Sequence, residues 1–265
     1  MEHCHPQHDA IAATLRAWYT TSAPAMGVRV ELRPFGHYMR YRYAPDAGEV
    51  TLRDAGPEDV PALLADVRAY YSDVPVGIYL DDRQADATLG PALVQAGCTK
   101  GTAVTHLVHV GAAPAVRSVP GVVLEPLTEA TLTEFAVTKL QGLASSEAAP
   151  DPQRLAAEVA MRRAELADDG RFSLARAGGE PAAILGIWDG DDRLVFLLAT
   201  RVPFRHRGIA RWLLSHAIAA AYAGRCRSIL IRSDPADTPI LLYRRLGFTD
   251  EVYWRQRYEP TVEGI

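Results

Sequence analysis

Cysteine, excess basic charge and long apolar runs are all scarce in this sequence. Only three cysteines, Cys4, Cys98 and Cys226, occur among 265 residues, and this odd, widely spaced set predicts neither a disulfide framework nor a Cys-x-x-Cys site. Acidic residues outnumber basic ones by 32 to 28, for a net charge of −4, which argues against a general nucleic-acid-binding protein. The longest apolar helix candidate, residues 212–224, is too short to cross a bilayer.

Signals for export and for metal binding are equally sparse. The N-terminal segment lacks the apolar core of a signal peptide, so we expect a cytoplasmic protein that binds neither a membrane nor nucleic acid. The stretch HCHPQH (3–8) has the density of a metal site but no partner ligands elsewhere. It therefore favours a disordered terminus or the lead into a helix, and no metal site is predicted. The sequence leaves a homodimer open.

Alternating strand and helix patterns follow a Pro- and Gly-rich stretch at 111–121 that is typical of a linker. The predicted strands are 122–127, 171–177, 181–188, 193–200, 228–233 and 251–259, and the predicted helices are 128–142, 151–168, 210–221 and 236–246. Gly178 and Gly179 mark a turn between two strands, and Gly247 a helix end. This order predicts an α/β (α+β) fold whose mixed, mostly antiparallel sheet has one parallel pair around a central helix and is flanked by helices.

The first half of the chain repeats this pattern at an offset of 150 residues. Its apolar positions Val60, Leu63, Leu64 and Val67 match the stripe of the central helix, and Gly97 stands opposite Gly247. We therefore expect two related domains, residues 1–112 and 121–265, joined by a linker at 113–120.

One stretch of the first half alternates in polarity, FGHYMRYRY at 35–43. It places Tyr38 and Arg40 on one face and His37 and Met39 on the other, which predicts a half-buried strand. An aromatic and basic surface for an acidic or phosphorylated acceptor is the alternative.

The stretch RVPFRHRGIARWLL (201–214) places a basic loop between a predicted strand and the central helix. A helix N-terminus offers unpaired N–H groups and a positive dipole end, so it suits an anion such as a phosphate. Gly208 lets a ligand approach the backbone, and Arg205 and Arg207 can add bidentate contacts to phosphate oxygens. The alternative is a solvated basic loop, since the stretch contains neither a Walker A nor a GxGxxG pattern.

Two motifs in this region resemble those of the GCN5-related N-acetyltransferase (GNAT) superfamily. RHRGIA (205–210) matches its (Q/R)xxGx(G/A) acetyl-CoA loop, and LYRRLGF (242–248) is similar to its later Tyr-x-x-x-Gly-Phe helix end. The resemblance covers residues 121–259 well and 25–110 weakly. It implies two GNAT-like domains in tandem.

The resemblance also implies roles for individual residues. The acetyl-CoA pyrophosphate would be held by the loop, and the pantetheine arm would pair with the end of the preceding strand. The implied cofactor-binding residues are Leu198, Ala199, Thr200, Val202, Arg205, His206, Arg207, Gly208, Ile209 and Ala210. Tyr243 would donate a proton to the CoA thiolate, for which a phenol has a suitable pKa; its alternative is a packed core aromatic.

The general base is left open by the sequence. Some family members carry a glutamate where this chain has Leu194. Asp191 and Asp192 favour a turn, and Glu147 favours a surface loop between two helices. Water could also deliver an already neutral amine without any base. A second departure from the family pattern is Ala236, which stands where many members have an asparagine that contacts pantetheine. The sequence therefore leaves the exact position of a bound cofactor open.

The first half lacks the basic loop. Ala55, Pro57 and Glu58 stand opposite Arg205, Arg207 and Gly208, and acidic side chains at a helix start would repel a pyrophosphate. The first domain is thus expected to be a degenerate GNAT-like repeat that shapes the acceptor site or serves as a structural partner.

The resemblance thus implies an acyl-CoA-dependent N-acyltransferase. It implies acetyl transfer from acetyl-CoA, by direct attack in a ternary complex, and we expect the acceptor to be a primary amine of a small molecule. The alternatives are a transferase for a longer acyl-CoA or a hydroxyl acceptor, and a non-catalytic CoA-binding or sensing module.

Overall fold

The fold was analysed in a computed structural model, which describes residues 10–13, 15, 28–41, 44–72, 74–167, 171–189 and 192–261. The chain forms two compact units. Unit 1 contains residues 1–106, 233–237 and 251–265, and unit 2 contains residues 107–232 and 238–250. Each unit therefore combines segments from both halves of the sequence.

The described part of unit 1 contains a mixed sheet and helices that pack on it. Its strands are β1 (Val28–Arg33), β2 (Gly36–Tyr41), β3 (Ala44–Leu52), β4 (Val76–Leu80), most of β5 (Cys98–His109) and most of β11 (Phe248–Pro260), and its helices are α1 (Val60–Tyr71) and α2 (Arg83–Gln95). The strand order is β1-β2-β3-β4-β11-β5. Strands β3 and β4 are parallel, as expected when a helix, here α1, connects them.

The strand β2 is buried on both faces, in contrast to the half-buried strand that its alternation predicts. Tyr38 is 0% exposed and the adjacent Met39 is 2% exposed. Tyr38 packs in the cluster with Val50 and Leu63, whereas Met39 packs with Val28. The prediction was wrong because alternation in polarity cannot show whether a second layer covers the polar face.

Gly48 in β3 lies directly under the ring of Tyr71, so an alanine there should destabilise unit 1. A Cβ at this position would lie 2.2 Å from Tyr71 Cε1. The ring cannot move freely because its hydroxyl is bonded to the carbonyls of Met39 (3.0 Å) and Glu49 (2.6 Å). We expect Gly48→Ala to lower the free energy of unfolding by about 1–3 kcal/mol in urea titrations.

Gly101 provides the matched control for this substitution. A Cβ on Gly101 would meet its nearest atom at 3.5 Å, an ordinary contact, so Gly101→Ala should change the free energy of unfolding by less than about 0.5 kcal/mol. Equal effects of the two alanines would contradict the close packing at Gly48.

Unit 2 is built on the order that the sequence predicts after residue 121. Its elements are β6 (Val122–Pro126), α3 (Leu132–Ala144), α4 (Pro152–Ala167), β7 (Arg171–Ala177), β8 (Glu180–Trp188), β9 (Asp192–Thr200), α5 (Ile209–Ala223), β10 (Ser228–Ser233) and α6 (Pro239–Arg245). The strand order is β10-β9-β8-β7-β6. The pairs from β6 to β9 are antiparallel, and β9 and β10 are parallel, so the predicted mixed sheet is confirmed.

Helices pack on both faces of this sheet. The apolar stripe of α5, including Leu213 and Ala217, lies in one core cluster with Val195 of β9. The other cluster contains Phe135 of α3 together with Leu197 of β9. Strand β9 is thus covered on both faces, and it passes between the helix of the basic loop and the α3–α4 pair.

Glycines mark the turns that the sequence predicts. Gly178 and Gly179, with φ of 61° and 88°, form the two-residue turn between β7 and β8, which needs positive φ at both positions. Gly97 (φ 92°) and Gly247 (φ 99°) each lie two residues after a helix, α2 and α6.

The helix predicted at 236–246 is shorter than expected and begins at Pro239. Proline is favoured at the first helical position because it needs no acceptor for a backbone N–H. Upstream, the Ala236 N–H donates to Asp234 Oδ1 at 2.8 Å, which holds this stretch in a turn. The last strand, predicted at 251–259, begins at Phe248.

Within the described ranges, no helix combines the length and apolarity that a membrane span requires. In the same part of the chain, no group of three His, Cys, Asp or Glu side chains could hold a metal ion. The stretch HCHPQH lies outside the described residues.

Candidate acyl-donor site in unit 2

The strands β9 and β10 separate halfway along β9. Their parallel pairing runs from Asp192↔Ser228 to Val195↔Ile231, whereas β9 continues to Thr200. Beyond Val195, β9 stays paired with β8 on its other side. We call Phe196–Thr200 the open edge, because its backbone groups on the β10 side lie beyond the β10 ladder.

A β-bulge lies at the start of the open edge. Gly186 of β8 pairs with Leu197 and Ile187 pairs with Val195, so Phe196 is an extra residue in β9. A bulge of this kind bends its strand and increases the local twist. The bend coincides with the last residue pair between β9 and β10, which explains why the two strands part there.

The basic loop follows the open edge and ends at the first turn of α5. His206 and Gly208 both have left-handed backbone conformations, with φ of 60° and 81°. Gly208 is the residue before the helix, and the first helical bond runs from Trp212 N–H to the Gly208 carbonyl at 3.0 Å. The preceding N–H groups of the first turn have no acceptor within the helix, so they can bind an anion. The predicted helix start is confirmed.

Arg205 connects the loop to its neighbours through three hydrogen bonds. Its guanidinium donates to the carbonyls of Thr200 (3.0 Å) and Gly142 (2.7 Å) and to Ser145 Oγ (3.0 Å). Gly142 is itself close to β9, since a Cβ there would lie 3.0 Å from Ala199 Cβ. Arg205 therefore joins the C-terminal ends of α3 and β9.

Arg207 is exposed, with its guanidinium carbon 5.3 Å from the ring centroid of Phe204. Arg201 lies 5.5 Å from the same ring centroid. Arg201 also donates to the Pro181 carbonyl at 2.7 Å and to Glu147 Oε2 at 3.0 Å. Of these two arginines, Arg207 is thus the one whose guanidinium faces solvent.

Tyr243 lies on α6 and is 7% exposed. It packs in the same apolar cluster as Phe204 and Ile209, the residues on either side of the basic loop. The structure therefore brings Tyr243 and the loop to one cluster, although 35 residues or so separate them in sequence.

Other predicted site residues lie at the end of β9 and in the turn that follows it. Leu198, Ala199 and Thr200 end β9, and Val202 begins a short 3₁₀ turn with 41% exposure. Arg201, Phe204, Gly142 and Ser145 were missed by the sequence analysis. The contacts of Arg201 with Glu147 and of Arg205 with Gly142 and Ser145 join segments more than 50 residues apart, which no local pattern signals. Phe204 contacts the neighbouring Arg201 and Arg207.

The carboxylates considered as bases are engaged elsewhere. Asp192 accepts from Arg227 Nε at 2.9 Å and Ser228 Oγ at 2.6 Å, and Glu147 pairs with Arg201. Leu194 is 3% exposed. Asp191 lies outside the described residues.

The parallel pair in unit 1, β3 and β4, has a different geometry. Pairing of β3 with β4 extends to Thr51↔Tyr79, one residue before β3 ends. Arg255 lies across the ends of both strands and is 3% exposed. Its guanidinium donates to Asp81 Oδ1 (2.8 Å) and Thr51 Oγ1 (2.6 Å) and stacks 4.2 Å from the Tyr79 ring centroid.

Three solved structures have a similar fold. A GCN5-related N-acetyltransferase from Kribbella flavida superposes with a TM-score of 0.61 at 18% identity, over 94% of this chain and 95% of that one. A GCN5-related N-acetyltransferase from Sphaerobacter thermophilus superposes with a TM-score of 0.59 at 15% identity, over 88% of this chain and 76% of that one. A tandem GNAT protein from the clavulanic acid biosynthesis pathway superposes with a TM-score of 0.59 at 10% identity, over 96% of this chain and 93% of that one.

Sequence comparison is informative for unit 2. No curated protein is significantly similar in sequence to this chain. Residues 168–250, however, match the profile of the acetyltransferase (GNAT) domain, and this range includes the open edge, the basic loop and Tyr243. Residues 168–250 are therefore similar to an acetyltransferase (GNAT) domain, and the chain shares the fold of the GNAT structures named above.

Proposed function

We propose that this protein is an acyl-CoA-dependent N-acyltransferase that transfers acetyl from acetyl-CoA to a primary amine of a small molecule. The observation that carries the proposal is the separation of β9 from β10 directly before a basic loop and a helix N-terminus. An extended donor could pair with the open edge, while its anionic end meets the first turn of α5.

The residues around the loop fit an anionic diphosphate. The N–H groups from His206 to Ala210 precede the first helical bond, and nothing lies within 4 Å of the Gly208 Cβ position, which leaves room for a ligand. Arg207 has an exposed guanidinium to add. We assign Arg205 a different part, because its three hydrogen bonds hold the loop against α3 and β9.

Acetyl-CoA, when bound, supplies an activated acyl thioester. On the protein side, open-edge N–H groups would stabilise negative charge on the carbonyl oxygen. Tyr243 Oη would hold the proton that the leaving thiolate needs. The amine must arrive neutral. Because Glu147 pairs with Arg201 and Asp192 with Arg227, deprotonation of the amine through water is favoured over a carboxylate base.

We further propose a tandem arrangement in which the first half is a degenerate GNAT-like domain. Three features of unit 1 support this proposal: strands β3 and β4 stay paired to their ends, Arg255 lies across them, and Glu58 and Asp59 stand at the start of α1. An acyl-CoA would therefore meet acidic side chains and a closed strand pair in unit 1.

Thermal unfolding with and without acetyl-CoA tests the proposed donor. A ligand at 100 times its Kd adds about 2.7 kcal/mol to the free energy of unfolding, so we expect a clear rise in Tm. A positive result is followed by an amine panel in which released CoA thiol is measured. No rise with acetyl-CoA or any longer acyl-CoA would contradict the proposal, and a rise only with longer chains would contradict acetyl as the donor group.

A further inference from the structure

Four ionisable side chains are buried between α3 and α4, on the face of unit 2 opposite α5. They are Lys139, Glu158, Arg162 and Glu165, whose side chains are 15%, 6%, 4% and 6% exposed. We call them the buried quartet. Two are basic and two acidic, and none belongs to the proposed donor site.

The quartet forms a chain of ion pairs. Lys139 Nζ lies 2.5 Å from Glu158 Oε2, Arg162 Nε lies 2.9 Å from Glu158 Oε1, and Arg162 also pairs with Glu165. Burial raises the pKa of Glu165 to about 7 against the opposing effect of Arg162. Burial likewise lowers the pKa of Lys139, so these charges are largely removed from water.

Stability alone is a poor explanation for such a cluster. Removing charges from water costs free energy, and buried ion pairs can often be replaced by apolar residues of similar volume without loss of stability. We therefore consider a second role for the quartet, which is to fix one conformation of a neighbouring segment.

The segment that Arg162 contacts is the bulge of β9. Its guanidinium carbon lies 5.0 Å from the ring centroid of Phe172 and 6.0 Å from that of Phe196. The two rings meet edge to face at 5.7 Å. A Cβ on Gly186 would lie 3.1 Å from both rings, so the rings pack closely over the bulge.

We propose that Arg162, held by Glu158 and Glu165, is a positioning residue that fixes Phe196 and thereby the conformation of the open edge. The cation pairs with two carboxylates on α4, and its guanidinium carbon lies over the ring of Phe172 and over that of Phe196, the extra residue in β9. The expected effect on KM for acetyl-CoA rests on the proposed function. The expected effect on the conformation of the open edge concerns the ligand-free protein and does not depend on that function.

The test replaces the quartet by apolar residues of similar size, in the full-length variant Lys139→Met/Glu158→Leu/Arg162→Met/Glu165→Leu. We expect Tm to change by only a few degrees. In contrast, backbone amides of 196–200 should exchange with deuterium at least tenfold faster, and KM for acetyl-CoA should rise at least tenfold with a smaller change in kcat. The control is Arg176→Met, which removes the pairing with Glu125 on β6. It should change neither the exchange rates of residues 196–200 nor the KM for acetyl-CoA.

A second variant, Arg162→Lys, keeps the charge and loses the planar face. It should give intermediate exchange and KM values, and it keeps the test decisive if the fourfold variant does not fold. Unchanged exchange at 196–200 in a folded variant would overturn the inference. If the wild type binds no acyl-CoA, the proposed function fails, whereas faster exchange in the variants would still support the positioning role.

Discussion

A Tyr243→Phe variant should lose about 10²–10⁴-fold in kcat, the usual contribution of a general acid, while its Kd for acetyl-CoA stays near the wild-type value. The substitution removes only the hydroxyl, and the ring keeps its place in the apolar cluster with Phe204 and Ile209. Steady-state kinetics and calorimetric titration of acetyl-CoA measure the two quantities separately.

Tyr222→Phe is the matched control for this loss. It removes a hydroxyl that bonds to His109 and to the Gly111 carbonyl, and it should leave kcat within about twofold. Wild-type kcat in Tyr243→Phe would remove the acid role and favour the reading of Tyr243 as a core aromatic. A protein that binds acetyl-CoA, and transfers nothing in either form, would favour the sensing module.

The two loop arginines should respond differently to charge reversal. Arg207→Glu should raise the Kd for acetyl-CoA about 10–100-fold, the value of a lost charge-assisted hydrogen bond, without changing the Tm of the ligand-free protein. Arg205→Glu should weaken binding and also lower the free energy of unfolding by about 2 kcal/mol, because it removes the bonds to Thr200, Gly142 and Ser145. The double variant should show no rise in Tm with acetyl-CoA.

Arg225→Glu serves as the control at the opposite end of α5, where the side chain is exposed. It should leave the Kd for acetyl-CoA within about twofold. If Arg207→Glu binds as tightly as Arg225→Glu does, the basic loop is only a solvated surface, and the anion site must lie elsewhere. If Arg205→Glu is as stable as the wild type, its three bonds do not hold the loop.

The features that sequence analysis predicted well are those with short-range causes. The turn at Gly178–Gly179 follows from the sterics of positive φ, and the start of α5 follows from Gly208 and the apolar spacing after it. The error at α6 was also local: Pro239 and the turn at Asp234 outweighed the apolar pattern that favoured an earlier start. Alternation along β2, by contrast, could not reveal the layer that buries Tyr38 on its polar face.

The proposed donor site is partly of this predictable kind. The (Q/R)xxGx(G/A) pattern located the loop and its helix, because a left-handed glycine, a basic side chain and a helix N-terminus are consecutive in the chain. The separate roles that we propose for Arg205 and Arg207 were not predictable. Both are arginines in one loop, and the contacts that distinguish Arg205 include Gly142 and Ser145, 63 and 60 residues away.

Residue order and local sterics thus set the helices, the turns and the basic loop of this protein. Long-range packing set the rest: the bulge at Phe196, the early end of the β9–β10 ladder, the pairing of Arg201 with Glu147 and the burial of Arg162. The physical reason is the range of the forces. Backbone sterics and helical hydrogen bonds act over a few residues, whereas these contacts exist only after α3, α4 and β9 have packed together.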